Sequence, residues 1–511
     1  MKTKQKEIDK GLKLLAKTSV FVFITVFLSK IFAYIYRIIV ARHFGPEVYG
    51  IFSLALIIFS FFAVFSSLGL KGGILRFFSQ YMSRKEYSKM NFLLKYSSTI
   101  LFFTGILFSI LLFYSSEFIS LTFFNEPRLI IFLKILSFLI LLKIFSDFFL
   151  SIITAFQHVN ASSFIEQTLS GLTNLLFLVF FIMLGMQTNS IIFSYVFGFV
   201  FVFIASLWYF KYKIAPKLSS QKIVEKDKLK IKSDFISYSL PLVFSGIVSF
   251  IFSWIDSFLV GYFLDVTQVG FYNAAVPIAL LFTFMPTIFV KMFFPIINRE
   301  YSLKNYGVIE EISKQVTKWI FLINFPFFLI ILLFPETIIG ILFGYEYVVA
   351  KDALRILAIG YFFFSLFLIS ERLLLTKGKS KVILYDLIFT SFINIFLNIL
   401  LIPKFGINGA ATSTSFSWII LSLLWFFQTQ KFLNIIPFRR KMVTIFFASL
   451  LPFFVVLILK NYFQMDVISS VFTGIFFLLF YLLMILTTKC FDKNDFMVLR
   501  SFKEKLFKNS V

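Results

Sequence analysis

Long apolar stretches alternate with short polar stretches along almost the whole chain. Read with a window of about 19 residues, the pattern contains fourteen apolar stretches of membrane-spanning length. A helix of about 20 residues rises about 30 Å, which matches the hydrocarbon core of a bilayer. The pattern therefore predicts an all-α polytopic membrane protein with about 14 transmembrane helices. The predicted spans are 18–41, 50–70, 93–114, 129–150, 164–184, 190–210, 235–262, 270–290, 319–335, 354–371, 383–402, 410–428, 442–459 and 467–488.

Composition supports a membrane location. Hydrophobic residues make up 59% of the 511 residues and charged residues 14%, with a mean hydropathy of +0.92. Soluble domains carry about 25% charged residues. A single cysteine excludes an internal disulfide, and with only two histidines the chain has too few ligands for a zinc site built from His and Cys. No metal and no bound cofactor are expected.

Lysine and arginine lie mainly on one side of the predicted spans. Strict alternation places 39 of the 49 basic residues on one side, six on the other side and four inside spans. Cytoplasmic loops carry such an excess, so we expect a multi-pass protein of the cell membrane with both termini in the cytoplasm. The same bias explains the net charge of +24, which favours anionic membrane lipids over nucleic acid as partners.

The chain contains an internal repeat of about 220 residues. Residues 19–59 align without gaps with residues 239–279, and identical residues include Gly50 and Gly270. Six spans per repeat give parallel topology, which predicts two six-helix bundles related by an axis along the membrane normal, plus two extra C-terminal helices. The predicted domains are the first bundle (1–210), a cytoplasmic basic linker (211–234), the second bundle (235–430), and helices 13 and 14 with a cytoplasmic tail (431–511).

One cytoplasmic segment has a helical pattern of its own. In KGGILRFFSQYMSRKEYSKM (71–90), the large apolar residues recur at helical spacing on one face and a basic segment follows. This pattern predicts an amphipathic helix lying on the inner leaflet. The residues of the apolar face are Ile74, Phe77, Phe78, Tyr81 and Met82.

Three motifs, taken in this order, resemble a known family. They are FGPEVYGIFSLA (44–55), SSLGLKGGILRFFS (66–79) and WIDSFLVGYFLDVTQVGFYNAA (254–275). They are similar to those of the polysaccharide repeat-unit flippases of the multidrug/oligosaccharidyl-lipid/polysaccharide exporter superfamily. The resemblance covers essentially the whole chain. It implies that a polyprenyl- or dolichyl-diphosphate-linked oligosaccharide moves from the inner to the outer leaflet by alternating access, for surface polysaccharide biosynthesis.

Other functions stay open at this point. Within the superfamily the alternatives are a drug/cation antiporter and a peptidoglycan-precursor flippase. A membrane sugar polymerase or ligase belongs to a different class and would be expected to have a long outer loop, which the predicted topology lacks. No nucleotide-binding or nucleophile motif is present, so an enzyme is not expected.

The resemblance also suggests partners. These are a lipid-linked oligosaccharide, membrane lipids and polysaccharide-assembly proteins, with a gradient of protons or sodium as a driving force. A monomer is expected because one chain contains both repeats.

Two cations lie inside the first predicted span. Lys30 and Arg37 are seven residues apart, which is about 20° short of two helical turns, so they share one face of the helix. Each is costly in hydrocarbon, by about 2.5–3.5 kcal/mol on insertion scales, so we expect this face to line a wet cavity. With Lys143 in span 4, they are predicted to bind the anionic headgroup of the substrate. The alternative for Lys30 and Arg37 is a structural ion pair with an acid on another helix, and for Lys143 a local salt bridge with Asp147 at i+4.

One carboxylate, Asp256, lies well inside a predicted span. In the repeat it corresponds to Tyr36, which is next to Arg37. We therefore expect Asp256 to pair with Arg37 when the outer gate is shut, or to couple transport to an ion gradient, a role that Asp147 could share. The alternative is plain helix packing. Three further acids are predicted to be interfacial because they lie at inner helix ends: Glu166, Glu371 and Asp386.

Pro277 and Pro286 lie inside the eighth predicted span. A proline inside a helix removes a backbone hydrogen bond and bends the helix. These two prolines therefore predict a hinge for the movement between inward-open and outward-open states. The alternative is a pair of prolines that the membrane helix tolerates without a role in motion.

Overall fold

The computed structural model of the protein describes residues 2–218, 225–463, 465–488 and 490–491. These residues form helices, short helical turns and connecting loops, with no strand in the described ranges. The short helical turns include two π-helical turns (Ile119–Phe123 and Phe164–Leu169) and a 3₁₀ turn (Leu281–Thr283). The α-helices are α1 (Lys2–Ser66), α2 (Leu70–Ser83), α3 (Tyr87–Phe118), α4 (Arg128–Ala155), α5 (Val159–Ser163), α6 (Ser170–Met183), α7 (Asn189–Lys213), α8 (Glu225–Phe263), α9 (Val266–Leu280), α10 (Phe284–Ser302), α11 (Tyr306–Leu333), α12 (Pro335–Leu342), α13 (Lys351–Thr376), α14 (Ser380–Leu433), α15 (Lys441–Tyr462) and α16 (Val467–Thr487).

Twelve helical stretches in the described part of the chain are long and apolar enough to cross a membrane. Two of them, Ile24–Ser66 and Ser380–Leu433, have 43 and 54 residues, or about 65 and 80 Å if straight, which is at least twice a hydrocarbon core. Each contains a break, at Gly45 (φ 79°) and at Gly406 (φ 59°). Counted as two segments each, they give the fourteen predicted spans. The all-α polytopic fold is confirmed, and the protein is a multi-pass membrane protein; the orientation of its termini stays a prediction.

The break in α1 follows from its sequence. Glycine adopts the positive φ of residue 45 without steric strain, and Pro46 then stands at the first position of the next helical segment. Proline is well suited to that position, because its φ is already helical and its missing N–H would have no partner there. The pair Gly45–Pro46 therefore ends the first span and begins the second within one helical stretch.

The chain forms two compact units. The first contains Met1–Pro277 and Leu387–Ser413, and the second contains Ile278–Asp386 and Thr414–Val511. The predicted domain boundaries stay a prediction. Residues 219–224 of the predicted linker, and the predicted tail from residue 492, lie outside the described residues.

The internal repeat is visible in the first unit as a pair of exchanged contacts. A Cβ added at Gly50 would lie 1.7 Å from the carbonyl oxygen of Val266, and one added at Gly270 would lie 2.0 Å from that of Pro46. Residues 46 and 266 are 220 apart, as are residues 50 and 270. The glycine of each repeat thus packs against the equivalent backbone carbonyl of the other repeat. Two copies related by a two-fold axis make such reciprocal contacts.

The amphipathic segment forms helix α2 as predicted, but protein covers part of its apolar face. A Cβ added at Gly73 would lie 2.2 Å from Ser239 Oγ of α8, and the ring of Phe77 lies 5.9 Å from that of Phe235. The Arg76 guanidinium lies 4.1 Å from the centre of the Tyr238 ring. Ile74, Phe77, Phe78 and Tyr81 are buried in protein. The expectation that the inner leaflet covers these four residues was wrong, because periodicity identifies an apolar face and says nothing of its neighbour.

Candidate functional site

The first unit contains a cavity of about 420 Å³ between α1, α2, α4 and α8. This volume lies in the range of ligand sites, roughly 300–1,000 Å³. Its lining contains both charged and apolar residues. The charged residues are Lys71, Lys143 and Asp147, and the apolar residues include Phe59, Val64 and Leu242.

Glycine helps to leave this space open. The nearest atom to a Cβ added at Gly246 would be Val64 Cγ1, at 3.7 Å, which is an ordinary contact distance. Gly69 has a φ of 64° and begins α2, which places Lys71 in the first turn of that helix. Glycine adopts a positive φ without steric strain, so Gly69 allows the chain to turn into α2 at this position.

Two ion pairs connect four charged residues, three that line the cavity and a fourth, Glu166, that pairs with one of them. Lys143 Nζ lies 2.7 Å from Asp147 Oδ1, one helical turn further along α4. Lys71 Nζ lies 2.8 Å from Glu166 Oε1, which belongs to the π-helical turn 164–169. Asp147 also interacts electrostatically with Lys71. The two positive and two negative charges therefore form one connected and neutral group.

Lys71 keeps its charge in this group. Burial lowers the pKa of its ammonium group, but the negative charges of Asp147 and Glu166 outweigh that effect, so the pKa of Lys71 lies above its ordinary value. The hydrogen bond from Lys71 to Glu166 acts in the same direction. At neutral pH Lys71 is thus a permanent cation at the cavity.

Arg37 is surrounded by tyrosines. Its guanidinium interacts with the hydroxyls of Tyr34, Tyr49 and Tyr195 and forms a hydrogen bond with Tyr49. Within the described ranges Arg37 forms no ion pair with a carboxylate. Phenol oxygens solvate a cation without neutralising it, so Arg37 holds a full positive charge inside α1. The side chain of Lys30, seven residues earlier, is exposed and within the electrostatic reach of Arg37.

Asp256 and Arg37 have different tyrosine partners. Tyr272 donates a hydrogen bond of 2.6 Å to Asp256 Oδ2, and Asp256 is only 6% exposed. Arg37 is hydrogen-bonded to Tyr49. The predicted pairing of Arg37 with Asp256 in a shut gate, and the coupling role of Asp256, stay predictions.

The two prolines of the predicted hinge lie on either side of a change in helix type. Pro277 is in α9 and Pro286 in α10, and the 3₁₀ turn Leu281–Thr283 joins the two helices. Neither proline has an N–H for the carbonyl four residues earlier, which belongs to Asn273 or to Phe282. In both cases a side chain of another helix donates a hydrogen bond to that carbonyl instead. The hinge motion itself stays a prediction.

Both carbonyls accept hydrogen bonds from other helices. Tyr49 of α1 donates to Asn273 O at 3.1 Å, and Asn324 of α11 donates to Phe282 O at 2.8 Å. Tyr34 of α1 also donates to the carbonyl oxygen of Pro277 itself. The irregular backbone of this span is thus satisfied by side chains, as buried polar groups in a membrane require.

Some members of the site could not be found from the sequence. The contact of Lys71 with Glu166 joins residues 95 apart. The sequence identifies Lys71 only as a cytoplasmic cation and Glu166 only as an acid at an inner helix end. The Lys143–Asp147 pair did have a signal, because residues four apart face each other on a helix.

The helices, the internal repeat and the charged cavity are those of a multi-pass membrane protein with a transporter fold. The chain belongs to the family described as polysaccharide biosynthesis protein, whose family model matches residues 15–300. A second family model, MatE, matches residues 241–400. The predicted family is therefore confirmed.

Relatives and solved structures agree with this assignment. An uncharacterised membrane protein of Methanocaldococcus jannaschii is 27% identical over 485 residues, which cover 88% of this chain and 92% of that protein. A probable low-salt glycan biosynthesis flippase of Haloferax volcanii is 28% identical over 252 residues, 49% of this chain and 51% of that protein. The structure of lipid II flippase MurJ in an inward closed conformation matches with a TM-score of 0.71 and 18% identity, over 91% of this chain and 98% of that chain. This last similarity shows the fold.

Proposed function

We propose that the protein moves an oligosaccharide linked to a polyprenyl or dolichyl diphosphate from the inner to the outer leaflet of the cell membrane by alternating access. The transported molecule serves the biosynthesis of a surface polysaccharide. Membership of the polysaccharide biosynthesis protein family supports this reaction class, and so does the Haloferax relative that is named a probable glycan biosynthesis flippase.

The observation that carries the proposal is the mixed lining of the cavity. Two lysines and several apolar residues line it together. A diphosphate that leaves water needs charged hydrogen-bond donors in place of its hydration shell, and Lys71 and Lys143 can supply them. The apolar part suits the hydrocarbon that is attached to the diphosphate.

Arg37 and Lys30 extend the positive charge along α1. Arg37 has tyrosine hydroxyls as partners, so its charge remains available to an anion. We propose that these two cations act on the same headgroup at another stage of transport. A gradient of protons or sodium drives the cycle, and one chain with both repeats acts as a monomer.

An organic cation is less suited to this cavity than a diphosphate, because the one carboxylate of the lining, Asp147, is already paired with Lys143. A peptidoglycan precursor carries the same diphosphate chemistry as a lipid-linked oligosaccharide. The experiment therefore has to compare all three classes of substrate.

The test is leaflet transfer in proteoliposomes. The purified protein is supplied with a fluorescent polyprenyl-diphosphate oligosaccharide, a peptidoglycan precursor or an organic cation, and the fraction of each that changes leaflet or compartment is followed over time. We expect transfer of the lipid-linked oligosaccharide. Transfer of the organic cation alone would overturn the proposal, and transfer of the peptidoglycan precursor alone would replace the oligosaccharide with that substrate.

A pair of lysines on α4 supplies a matched control. Lys143→Gln removes a cation of the cavity, while Lys134→Gln removes one that lies over the Phe113 ring, at 5.5 Å, and is not part of the cavity lining. Loss of a charge-assisted hydrogen bond costs about 1.5–3 kcal/mol, so Lys143→Gln should weaken binding by about 10- to 150-fold. Lys134→Gln should leave binding unchanged.

A further inference from the structure

We infer that Asp147 and Glu166 are exchangeable counterions: the diphosphate takes over Lys143 and Lys71, and each released carboxylate takes up one proton. The inference rests on the proposed function and names a coupling device within the same site. It assigns a role to Lys71 and Glu166, which the family assignment does not give.

The empty site is neutral by its own charges. Lys143 pairs with Asp147 at 2.7 Å and Lys71 pairs with Glu166 at 2.8 Å. Asp147 interacts with Lys143, which is on the same helix, and with Lys71, which is on α2. Glu166 also interacts with Lys71. Each lysine that would bind an anion is thus already held by a carboxylate of the protein.

An entering diphosphate must compete with these two carboxylates. A diphosphate diester between a lipid and a sugar carries two negative charges. If the carboxylates stayed ionised, four negative charges would share two ammonium groups. Each carboxylate would lose its lysine and gain a negatively charged neighbour, and both changes favour the protonated acid.

Two protons restore the balance. The site gains two negative charges with the diphosphate and two positive charges with the protons, so its total charge is unchanged. No covalent bond is made or broken. When the diphosphate leaves on the other side, the carboxylates regain their lysines and release the protons there. Protons therefore accompany the substrate outward, and a proton gradient drives export by this device only when it is directed outward.

The backbone at Glu166 departs from a regular α-helix. This residue lies in the π-helical turn 164–169, and π-helical turns within membrane and soluble helices are frequent at functional sites. The partner, Lys71, is in the first turn of α2, between Gly69 and Gly72, which both lie against α8. The long lysine side chain can therefore change partner while its helix stays packed.

The experiment counts protons. A short-chain prenyl-diphosphate-linked disaccharide is the probe, because its diphosphate diester has no titrating proton near neutral pH. Calorimetric titration of the detergent-purified protein in two buffers of different ionisation enthalpy gives the number of protons taken up per probe bound. We expect the wild type to bind as many as two protons per probe molecule. Asp147→Asn and Glu166→Gln should each lower the number of bound protons by about one.

Affinity gives an independent measure. Without a competing carboxylate, each variant should bind the probe about tenfold tighter at neutral pH, because the charge-assisted hydrogen bond that had to be broken is gone. Glu47→Gln is the matched control, because the ion pair of Glu47 in the same unit is with Arg128 and not with a lysine of the cavity. It should change neither the proton count nor the affinity.

The outcomes separate this inference from the proposed function. Probe binding by wild type with no proton uptake would overturn the exchange and leave the flippase proposal intact. Weaker binding by Asp147→Asn or Glu166→Gln would also overturn the exchange. Absence of probe binding by wild type, together with no leaflet transfer in liposomes, would overturn both.

Discussion

The hydroxyl of Tyr49 replaces the backbone hydrogen bond that Pro277 removes from its helix. That hydroxyl donates to the carbonyl oxygen of Asn273, four residues before Pro277, at 3.1 Å. The same hydroxyl group is hydrogen-bonded to Arg37. The hydroxyl of Tyr49 therefore connects the backbone of α9, where the helical hydrogen bond is missing, to the cation inside α1. A change at either partner should alter the hydrogen bond to the other.

This relationship predicts a specific rescue. Tyr49→Phe leaves the Asn273 carbonyl unpaired, and a buried unpaired group costs about 1–3 kcal/mol of the free energy of unfolding. Pro277→Ala restores an N–H that can bond to that carbonyl, so it should reduce the loss caused by Tyr49→Phe. The measurement is a double-mutant cycle on thermal unfolding in detergent.

The cycle has a clear negative result. If the destabilisation by Tyr49→Phe is the same with proline and with alanine at position 277, the tyrosine does not compensate for the proline. Tyr262→Phe serves as a control, because Tyr262 has an exposed side chain at the end of α8. It should leave the unfolding temperature close to that of wild type.

The exchanged glycine contacts predict a strong effect of a single methyl group. Gly50→Ala would place a Cβ 1.7 Å from the Val266 carbonyl oxygen, so backbone must move. Overpacking of this kind costs about 1–3 kcal/mol, or more where backbone is the obstacle. Gly307→Ala is the control, because no atom lies within 4 Å of its added Cβ. Equal unfolding temperatures for the two variants would contradict the close crossing.

Acid should weaken the loop that precedes α4. Arg128 donates hydrogen bonds to both carboxylate oxygens of Glu126, and this pairing lowers the pKa of Glu126 although burial raises it. A lowered native pKa contributes stability above the unfolded value of about 4.3, and that contribution is lost as the pH falls through the native value. We expect the unfolding temperature of wild type to fall in that range.

Comparison with Glu126→Gln isolates this effect. The variant lacks the carboxylate, so it should be less stable than wild type at neutral pH and should lack this part of the acid dependence. The difference between the two proteins should therefore shrink as the pH falls. A difference that stays constant down to strongly acidic pH would exclude the pair as its cause.

Filling the cavity tests it without altering its charges. Gly246→Ala fits, because the nearest atom to the new Cβ is Val64 Cγ1 at 3.7 Å. Gly246→Leu adds roughly 100 Å³ of side chain to a cavity of about 420 Å³. Leaflet transfer should remain near wild type with alanine and fall at least tenfold with leucine. Full transfer by a folded leucine variant would place the substrate path elsewhere.

Much of the fold was predictable because the hydropathy of a segment depends only on its own sequence. The apolar stretches identify the spans, and the breaks at Gly45 and Gly406 fall between predicted spans. The 220-residue repeat, read from matches such as Gly50 with Gly270, corresponds to real exchanged contacts. The neighbour of α2 was not predictable, because lipid and protein can cover the same apolar face.

The site was predictable only where its contacts are local. Lys143 and Asp147 lie four residues apart, so helical geometry alone brings them together. Lys71 with Glu166, and Arg37 with Tyr195, depend on how separate helices pack. A single sequence contains no distance between such residues, so the ring of tyrosines around Arg37 had no signal in it.

The equal number of positive and negative charges at the cavity has a consequence for the electrical behaviour of transport. One elementary charge that crosses the full membrane potential exchanges about 2.3 kcal/mol per 100 mV with the field. The group formed by Lys71, Lys143, Asp147 and Glu166 carries no net charge when empty, and none when a dianion arrives with two protons. With that exchange of counterions, neither the loaded nor the returning group moves net charge through the field, so the pH difference and the difference in substrate concentration between the leaflets together set the direction of net movement.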